Sequence, residues 1–196
     1  MRELTYYVAV SLDGFIAGPE GQFDAFPVEG DHMEAITERF PDTVPTDIAA
    51  ASGIDQSGGR FDTVLMGWNT YAVGLAFGVT SPYRHLEQIV FTRTHLDEAQ
   101  GGDVHPLFTD ADPVDTVREL KQRDGRGIWL CGGGRLATAL AGEIDRLVLK
   151  RNPVLLGAGI PLFEPGAYDP RQFDVVETTA FRSGVVLGEY VRRAAA

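Results

Sequence analysis

The sequence predicts an α/β fold in which a mixed, mainly parallel sheet is flanked by helices and ends in a C-terminal antiparallel hairpin. Up to Lys150, β-branched and aromatic segments alternate with amphipathic segments, which is the order of parallel strands and their crossover helices. Beyond that point two long alternating runs, 173–181 and 185–193, flank the turn residues Arg182-Ser183-Gly184. A length of 196 residues suits a single domain, 1–196, with one core.

The N-terminal part of the chain opens with a strand and a turn. Residues 4–10 are β-branched and aromatic enough for a buried strand, and Asp13-Gly14 mark the turn behind it. Residues 18–27 carry glycines, prolines and two phenylalanines, typical of a surface loop that folds over a ligand. Residues 31–40 have apolar side chains at helical spacing behind an acidic start, which predicts the first helix. Residues 41–59 indicate a connection with a short helix.

The following part of the chain alternates predicted strands with helices. The predicted strands are 63–66, 88–92, 103–108, 127–130, 144–150 and 154–156. Asp112 is expected to cap one helix, with Pro113 at its first position and its end near Arg123. Another helix, 135–141, directly follows a run of glycines.

Composition excludes several classes of protein. Seventeen basic residues against 28 acidic ones give a net charge of −11, which repels nucleic-acid phosphates at long range, so no nucleic-acid partner is expected. The single cysteine, Cys131, cannot form an internal disulfide and is expected to be a buried packing residue. No run approaches the roughly 18 apolar residues of a membrane span, and the N-terminus lacks a signal-peptide core. We therefore expect a soluble, cytoplasmic protein.

The histidines do not indicate a metal site. His32, His85, His95 and His105 show none of the short spacings that zinc sites use. No metal is therefore expected.

The glycine run Gly132-Gly133-Gly134 is the strongest local signal for a ligand. Glycines can take positive φ and let the backbone approach a ligand, while a helix start offers free N–H groups to an anion. A pyrophosphate would fit here, and a tight turn without a ligand is the alternative. Residues 132–137 also match G-x-G-x-x-A, the fingerprint of Rossmann dinucleotide-binding domains. This match is weak, because the next predicted strand ends in Lys150-Arg151 and offers no acidic residue to bind the ribose hydroxyl.

Two other turns follow predicted strands. Gly67 ends one strand and leads into a helix that Thr70 can cap, and its hydroxyl can also donate to a phosphate. Thr92-Arg93 ends another strand and brings a hydroxyl and a guanidinium. Ordinary capping or a surface arginine explains each turn equally well. Together with the glycine run they favour one site, because open α/β sheets bind ligands at the carboxyl ends of their strands.

Five motifs occur in an order that resembles a known family. They are residues 9–17 (AVSLDGFIA), Met66-Gly67-x-x-Thr70-Tyr71, Thr92-Arg93, residues 131–136 (CGGGRL) and residues 153–163 (PVLLGAGIPLF). Over nearly the whole chain they resemble the reductase domain of the bacterial bifunctional riboflavin-biosynthesis deaminase-reductase and its stand-alone relatives, which are similar to dihydrofolate reductase. The resemblance implies a dihydrofolate-reductase-like fold, NADPH as cofactor and a homodimer paired through the sheet edge near the C-terminus.

The resemblance also implies where the cofactor binds. The nicotinamide would contact Ala9 and Ile16, and a phosphate and ribose would contact Gly67, Asn69 and Thr70. The adenosine 2′-phosphate would lie between Thr92 and Arg93. The pyrophosphate would be wrapped by the segment that contains the glycine run, namely Gly132, Gly133, Gly134, Arg135 and Leu136. At Trp68 the chain departs from the family pattern, which usually has a basic residue there. Arg93 is then the leading partner for the 2′-phosphate.

Three carboxylates are candidates for binding or protonating the substrate. Asp13 follows the nicotinamide-lining strand, and its alternative role is to stabilise its own turn. Asp31 and Glu34 lie where folate reductases place a substrate-binding carboxylate, and their alternative role is an acidic helix N-terminus.

The function expected from these observations is an NADPH-dependent reductase that transfers a hydride to a small pterin-, pyrimidine- or flavin-like substrate. The alternative is a nucleotide-binding module of the same fold without efficient turnover. A short-chain Rossmann dehydrogenase is disfavoured, because the chain contains no Tyr-x-x-x-Lys pair.

Overall fold

The computed structural model describes residues 1–98 and 106–194. Within these ranges the strands are β1 (Leu4–Val10), β2 (Phe15–Ala17), β3 (Phe61–Gly67), β4 (Glu87–Phe91), β5 (Leu107–Thr109), β6 (Gly127–Gly132), β7 (Arg146–Arg151), β8 (Ile160–Pro161), β9 (Phe173–Ala180) and β10 (Val186–Arg192). The α-helices are α1 (Asp31–Arg39), α2 (Thr46–Ser52), α3 (Trp68–Leu75), α4 (Pro113–Gln122) and α5 (Gly134–Ala139).

Eight strands form one sheet in the order β5-β4-β3-β6-β1-β7-β10-β9. The strands from β5 to β7 run parallel to one another, and β10 is antiparallel to both β7 and β9. β2 and β8 form a separate two-stranded ribbon. The sequence-predicted fold, a mainly parallel sheet with a C-terminal antiparallel hairpin, is confirmed.

The sheet separates two apolar cores, because successive strand residues point to opposite faces. On one side, Tyr6 of β1 packs with residues of α4 and α5, such as Leu120 and Leu136. On the other side, Tyr7 packs with Ile36 of α1 and Tyr71 of α3. We call these the α4/α5 face and the α1/α3 face.

Several local predictions are confirmed closely. The first predicted strand coincides with β1, and the predicted first helix differs from α1 only at its last residue. The Asp112 side chain accepts the N–H groups of Val114 and Asp115 at the start of α4, with Pro113 as the first helical residue. Strong local signals explain this agreement, since the cap and the proline act within a single turn.

The predicted strand at 154–156 is wrong. The backbone of this segment is bonded to the turn after β1 instead of to a strand: Leu12 N–H donates to the Val154 carbonyl, and Leu156 N–H donates to the Asp13 carboxylate. This run of apolar residues therefore belongs to a loop. The predicted strand at 103–108 falls partly on residues 103–105, which lie outside the described residues, as does His105; β5 begins at Leu107.

No helix within residues 1–98 and 106–194 combines the length and apolar content needed to span a membrane.

Candidate cofactor and substrate site

The carboxyl ends of the parallel strands bring the three predicted ligand turns to one edge of the sheet. β6 lies between β3 and β1, and β4 is the next strand beyond β3. Gly132 ends β6, Gly67 ends β3, and Thr92 directly follows β4. This edge is where open α/β sheets bind ligands. The fold thus groups segments that are far apart in the sequence.

The glycine turn after β6 faces the start of α3. Gly133 has a φ of +97°, a conformation that favours glycine. A β-carbon on Gly132 or Gly133 would lie 3.6 or 3.7 Å from the Thr70 hydroxyl oxygen. A β-carbon on Gly67 would have no neighbour within 4 Å. Bare backbone, a hydroxyl and open space therefore form a cradle that side chains would fill, and this cradle fits a phosphate group.

The other residues of the glycine segment have structural explanations. A side chain on Gly134 would overlap the carbonyl oxygen of Pro161, so this glycine permits α5 to pack on β8. Leu136 is buried in the α4/α5 face, which leaves only its backbone for a ligand. Arg135 is exposed, and so is Asn69 at the start of α3.

Aromatic and basic residues extend the cradle beyond β3 and β4. The Trp68 ring stacks on the His95 ring with centroids 3.7 Å apart and planes inclined by 14°. Thr94 Oγ1 lies 2.8 Å from His95 Nδ1, which fixes the imidazole in this stack. Thr92 is buried, whereas Arg93 is exposed and forms no ion pair with any residue the structure describes. This end of the edge offers a flat aromatic surface beside an available guanidinium.

Asp13 holds the turn after β1 to the loop after β7. Its Oδ1 accepts the Ser11 hydroxyl at 2.5 Å, and its Oδ2 accepts the Gly157 N–H at 2.7 Å. The Ser11 hydrogen bond, helped by the backbone N–H groups of Gly157 and Leu156, lowers the pKa of the Asp13 carboxyl. A carboxylate with occupied oxygens and a lowered pKa is a poor proton donor. The structure therefore supports the turn-stabilising role of Asp13 over the catalytic one.

The two candidate carboxylates on α1, Asp31 and Glu34, have different surroundings. Asp31 accepts the backbone N–H groups of Arg182 and Ser183 at 2.9 and 3.1 Å, which holds the β9–β10 turn against the start of α1. These hydrogen bonds, led by the one from Arg182, lower the pKa of the Asp31 carboxyl. Glu34 is exposed on the helix surface. Asp31 is thus engaged as a cap for the hairpin.

Sequence reasoning missed an opening in the α1/α3 face. Three residues of the central strands β1, β6 and β7 are buried there, and the residue two positions later in each strand, on the same face, is partly exposed. The buried residues are Tyr7, Trp129 and Val148, and the partly exposed ones are Ala9, Cys131 and Lys150. Because central strands are normally covered, this change marks a cleft at the carboxyl edge, which we call the Lys150 cleft.

The polar groups of the Lys150 cleft are a lysine, a thiol and a phenol. Lys150 Nζ lies 4.9 Å from the centre of the Tyr7 ring, and burial lowers the pKa of its ammonium group. Burial raises the pKa of the Cys131 thiol to about 12, although a hydrogen bond with Tyr83 acts in the opposite direction. A thiol of this kind is unreactive, in agreement with the packing role expected for Cys131. The signal for Lys150 was its inward position two residues after Val148.

The fold and its edge site define the class of protein as a dihydrofolate-reductase-like α/β domain. The chain belongs to the RibD C-terminal domain family, whose model matches residues 2–187. This family is the reductase domain of riboflavin biosynthesis.

Individual relatives agree with this assignment. The chain is 34% identical to the uncharacterized protein YwjB of Bacillus subtilis over 167 residues, which covers 83% of each chain. It is 29% identical to the uncharacterized protein YyaP of the same organism over 201 residues, covering 94% of this chain and 92% of YyaP.

Solved structures share the fold. A putative riboflavin biosynthesis protein from Shewanella sp. PV-4 superposes with a TM-score of 0.71 at 26% identity, covering 99% of this chain and 100% of that one. A diaminohydroxyphosphoribosylaminopyrimidine deaminase/5-amino-6-(5-phosphoribosylamino)uracil reductase from Thermotoga maritima superposes with a TM-score of 0.64 at 15% identity, covering 98% of this chain and 57% of that one.

Proposed function

We propose that this protein is an NADPH-dependent reductase that transfers a hydride to a small heterocyclic substrate. The observation that carries the proposal is the cradle in which the bare backbone of Gly132 and Gly133 faces the Thr70 hydroxyl. It lies at the carboxyl edge of the sheet, between an aromatic and basic surface on one side and the Lys150 cleft on the other. Membership of a reductase family supports the same activity.

The residues along this edge suit the parts of a dinucleotide in sequence. Thr70 and the glycine turn would hold the pyrophosphate through a hydroxyl and backbone N–H groups. The Trp68–His95 stack would support the adenine, with Arg93 beside the 2′-phosphate. Ala9 and Ile16 would line the nicotinamide next to the Lys150 cleft. When bound, the dinucleotide supplies the hydride, and the protein supplies binding and orientation.

Cofactor titration followed by a turnover screen tests the proposal. Because Trp68 lies in the proposed site, NADPH should change the tryptophan fluorescence of the protein, and NADH should do so at higher concentration. The complex is then mixed with pterins, pyrimidines and flavins while the absorbance of the reduced nicotinamide is followed. Oxidation that depends on both protein and substrate supports a reductase.

The screen also separates the two functions that the sequence left open. Tight NADPH binding without oxidation of the dinucleotide by any compound would favour a nucleotide-binding module. A chain that binds neither NADPH nor NADH would contradict the proposal. Thr70→Val tests the cradle directly, because it removes one hydroxyl and keeps the shape of the side chain. It should weaken NADPH binding by roughly 10-fold, the effect of one lost hydrogen bond to a charged group.

A further inference from the structure

We propose that Lys150 is a substrate-binding residue whose ammonium group donates hydrogen bonds to an acceptor atom, a carbonyl oxygen or an anionic ring atom, of the substrate. This inference rests on the proposed function, because it places the substrate in the cleft next to the nicotinamide. The residues that carry it are the neighbours of Lys150 on β1, β6 and β10.

The strand register places Lys150 beside the proposed nicotinamide site. Lys150 pairs with Ala9 in the parallel β1–β7 ladder and with Leu187 in the β7–β10 ladder. Neighbouring strands lie about 5 Å apart, so the side chains of Ala9 and Lys150 are adjacent. Ala9 has almost no side chain to cover the space in front of it. A planar ring in this space would meet the lysine amine at its edge.

The amine is held toward the cleft by an aromatic ring. Its nitrogen lies 4.9 Å from the centre of the Tyr7 ring, a favourable cation–π distance. Tyr7 itself stacks on Phe40 with centroids 4.7 Å apart, which fixes the ring in the core. The ammonium therefore has one partner below it and a partly exposed side facing the cleft.

No carboxylate of the described chain balances this charge. The groups facing Lys150 are Tyr7 on β1, Cys131 on β6 and the apolar Leu187 on β10, and Tyr83 lies behind them in contact with Cys131. Burial raises the pKa of Tyr7, Tyr83 and Cys131, so all three are neutral at physiological pH. A withdrawn ammonium with only neutral neighbours is unfavourable on its own. An acceptor atom supplied by a ligand would stabilise it.

Lys121, the other lysine of the chain, has the polar partners that a buried ammonium group needs. The sequence contains two lysines, Lys121 and Lys150, among 17 basic residues. Lys121 is buried, but its Nζ lies 2.7 Å from an Asp145 carboxylate oxygen and donates to the Glu143 carbonyl at 2.7 Å. Lys121 thus has the partners of a structural lysine, which Lys150 lacks in the described part of the chain.

An ammonium at this position selects the chemistry of the substrate. Lysine has three N–H donors and no acceptor, so it binds carbonyl oxygens and deprotonated ring nitrogens. A ring that presents amino groups or carries positive charge would be repelled. During reduction of a C=O or C=N group, negative charge develops on the heteroatom, and an ammonium in contact with that atom stabilises it. The cleft therefore suits carbonyl-rich rings better than diamino-substituted ones.

Binding measurements with two pyrimidines test this inference on the whole protein. Barbiturate is a carbonyl-rich pyrimidine anion, and 2,4-diaminopyrimidine presents donors instead. With NADP⁺ present, calorimetry should show barbiturate binding at least about 10-fold more tightly, since one charge-assisted hydrogen bond has about that effect. Lys150→Met should abolish this preference and leave NADP⁺ binding unchanged, whereas Lys150→Arg should retain part of it. The matched control is Arg151→Met, which removes the neighbouring, exposed cation of the same strand.

A second readout follows the amine directly. Reductive methylation with ¹³C-formaldehyde keeps the charge and gives NMR signals for Lys121, Lys150 and the N-terminal amine; Lys121→Arg and Lys150→Met assign the two lysine signals. Barbiturate should shift the Lys150 signal and leave the Lys121 signal in place. Three outcomes would overturn the role of Lys150 without affecting the proposed function. Barbiturate could bind without moving the Lys150 signal, or it could bind to the Lys150→Met variant as tightly as to the wild type. It could also fail to bind to a protein that binds NADP⁺. Loss of NADP⁺ binding to the wild-type protein would overturn the proposed function as well.

Discussion

The backbone of Gly133 faces the hydroxyl of Thr70 across a gap in which a β-carbon on the glycine would lie 3.7 Å from the threonine oxygen. The two residues are far apart in sequence: Gly133 lies in the turn after β6, and Thr70 lies in the first turn of α3, which follows β3. Strands β3 and β6 are neighbours in the sheet. A ligand in this gap would contact both.

Gly133→Val is expected to abolish NADPH binding, because the branched side chain would occupy the gap. It should also destabilise the fold by about 1–2 kcal/mol, since valine disfavours a positive φ. Gly58→Val is the matched control: Gly58 also has a positive φ, and a β-carbon there would have no neighbour within 4 Å. Thermal melting and NADPH titration check both effects. Equal NADPH binding by the two variants would contradict the assignment of the cradle.

Arg93→Ala is expected to weaken NADPH binding by roughly 10-fold or more and to leave NADH binding nearly unchanged, since a charge-assisted hydrogen bond to the 2′-phosphate is lost. Arg126, exposed before β6 at the opposite edge of the sheet, provides the control as Arg126→Ala. Titration of each variant with both dinucleotides gives the ratio of the NADPH and NADH dissociation constants. A parallel fall in both affinities would mean that Arg93 does not read the 2′-phosphate.

Asp13→Ala is expected to release the loop at Leu156 and Gly157 and to affect turnover only through this loop. The two backbone N–H groups lose their acceptor, so their hydrogen exchange should accelerate. Since the pKa of Asp13 is lowered in the fold, the same protection should be present above the ordinary value of 3.8 and fade as the pH falls below it. Asp24→Ala, at an exposed loop position, should leave these amides unchanged. Unaltered exchange in Asp13→Ala would contradict the turn role.

Glu189→Gln is expected to destabilise the fold by about 1–3 kcal/mol, because it removes the buried negative charge that accepts hydrogen bonds from three arginines. Glu189 is only 3% exposed and contacts Arg39, Arg60 and Arg146. Burial raises its pKa, but the hydrogen bond from Arg60 and the three positive charges lower it overall.

The contribution of Glu189 to stability should therefore be complete above the ordinary value of 4.5 and decline as the pH falls through the lower folded pKa. Urea unfolding at several pH values measures this. Glu177→Gln, which changes the more exposed partner of Arg39, should have a much smaller effect. Equal stability of Glu189→Gln and the wild type would show that the contacts of Glu189 with the three arginines do not contribute to the stability of the fold.

We propose that the chain forms a homodimer through β9, the edge strand of the sheet. Val175 and Val176 of this strand are 63% and 52% exposed. An exposed edge strand with apolar side chains tends to pair with a strand of another chain. Val175→Arg should shift the protein toward monomer, whereas Val28→Arg, at a loop position that is 70% exposed, should not. Light scattering during size-exclusion chromatography measures the mass. A wild-type mass of 21.3 kDa at tens of micromolar would contradict the dimer.

The class of fold, the approximate bounds of the longer strands and of α1 and α4, and the glycine turn after β6 could all be predicted from the sequence. These features depend on local signals: the β-branched and aromatic residues of β1, the alternation in β9 and β10, the Asp112 cap, and the glycines that a tight backbone approach requires. The apolar segment 154–156 was misread because a short hydrophobic run looks the same in a strand and in a loop whose backbone groups bond elsewhere.

Which polar side chains are available to a ligand depends on tertiary contacts that no local pattern contains. Asp13 and Asp31 are engaged by backbone N–H groups from residues more than a hundred positions away, and no local pattern reveals these partners. Lys150 is partly exposed at the Lys150 cleft because β7 pairs with β1 and places it beside the small side chain of Ala9. The reason is physical: hydrogen-bond partners and burial depend on which segments meet in space, whereas periodicity and turn chemistry act between neighbours in the chain.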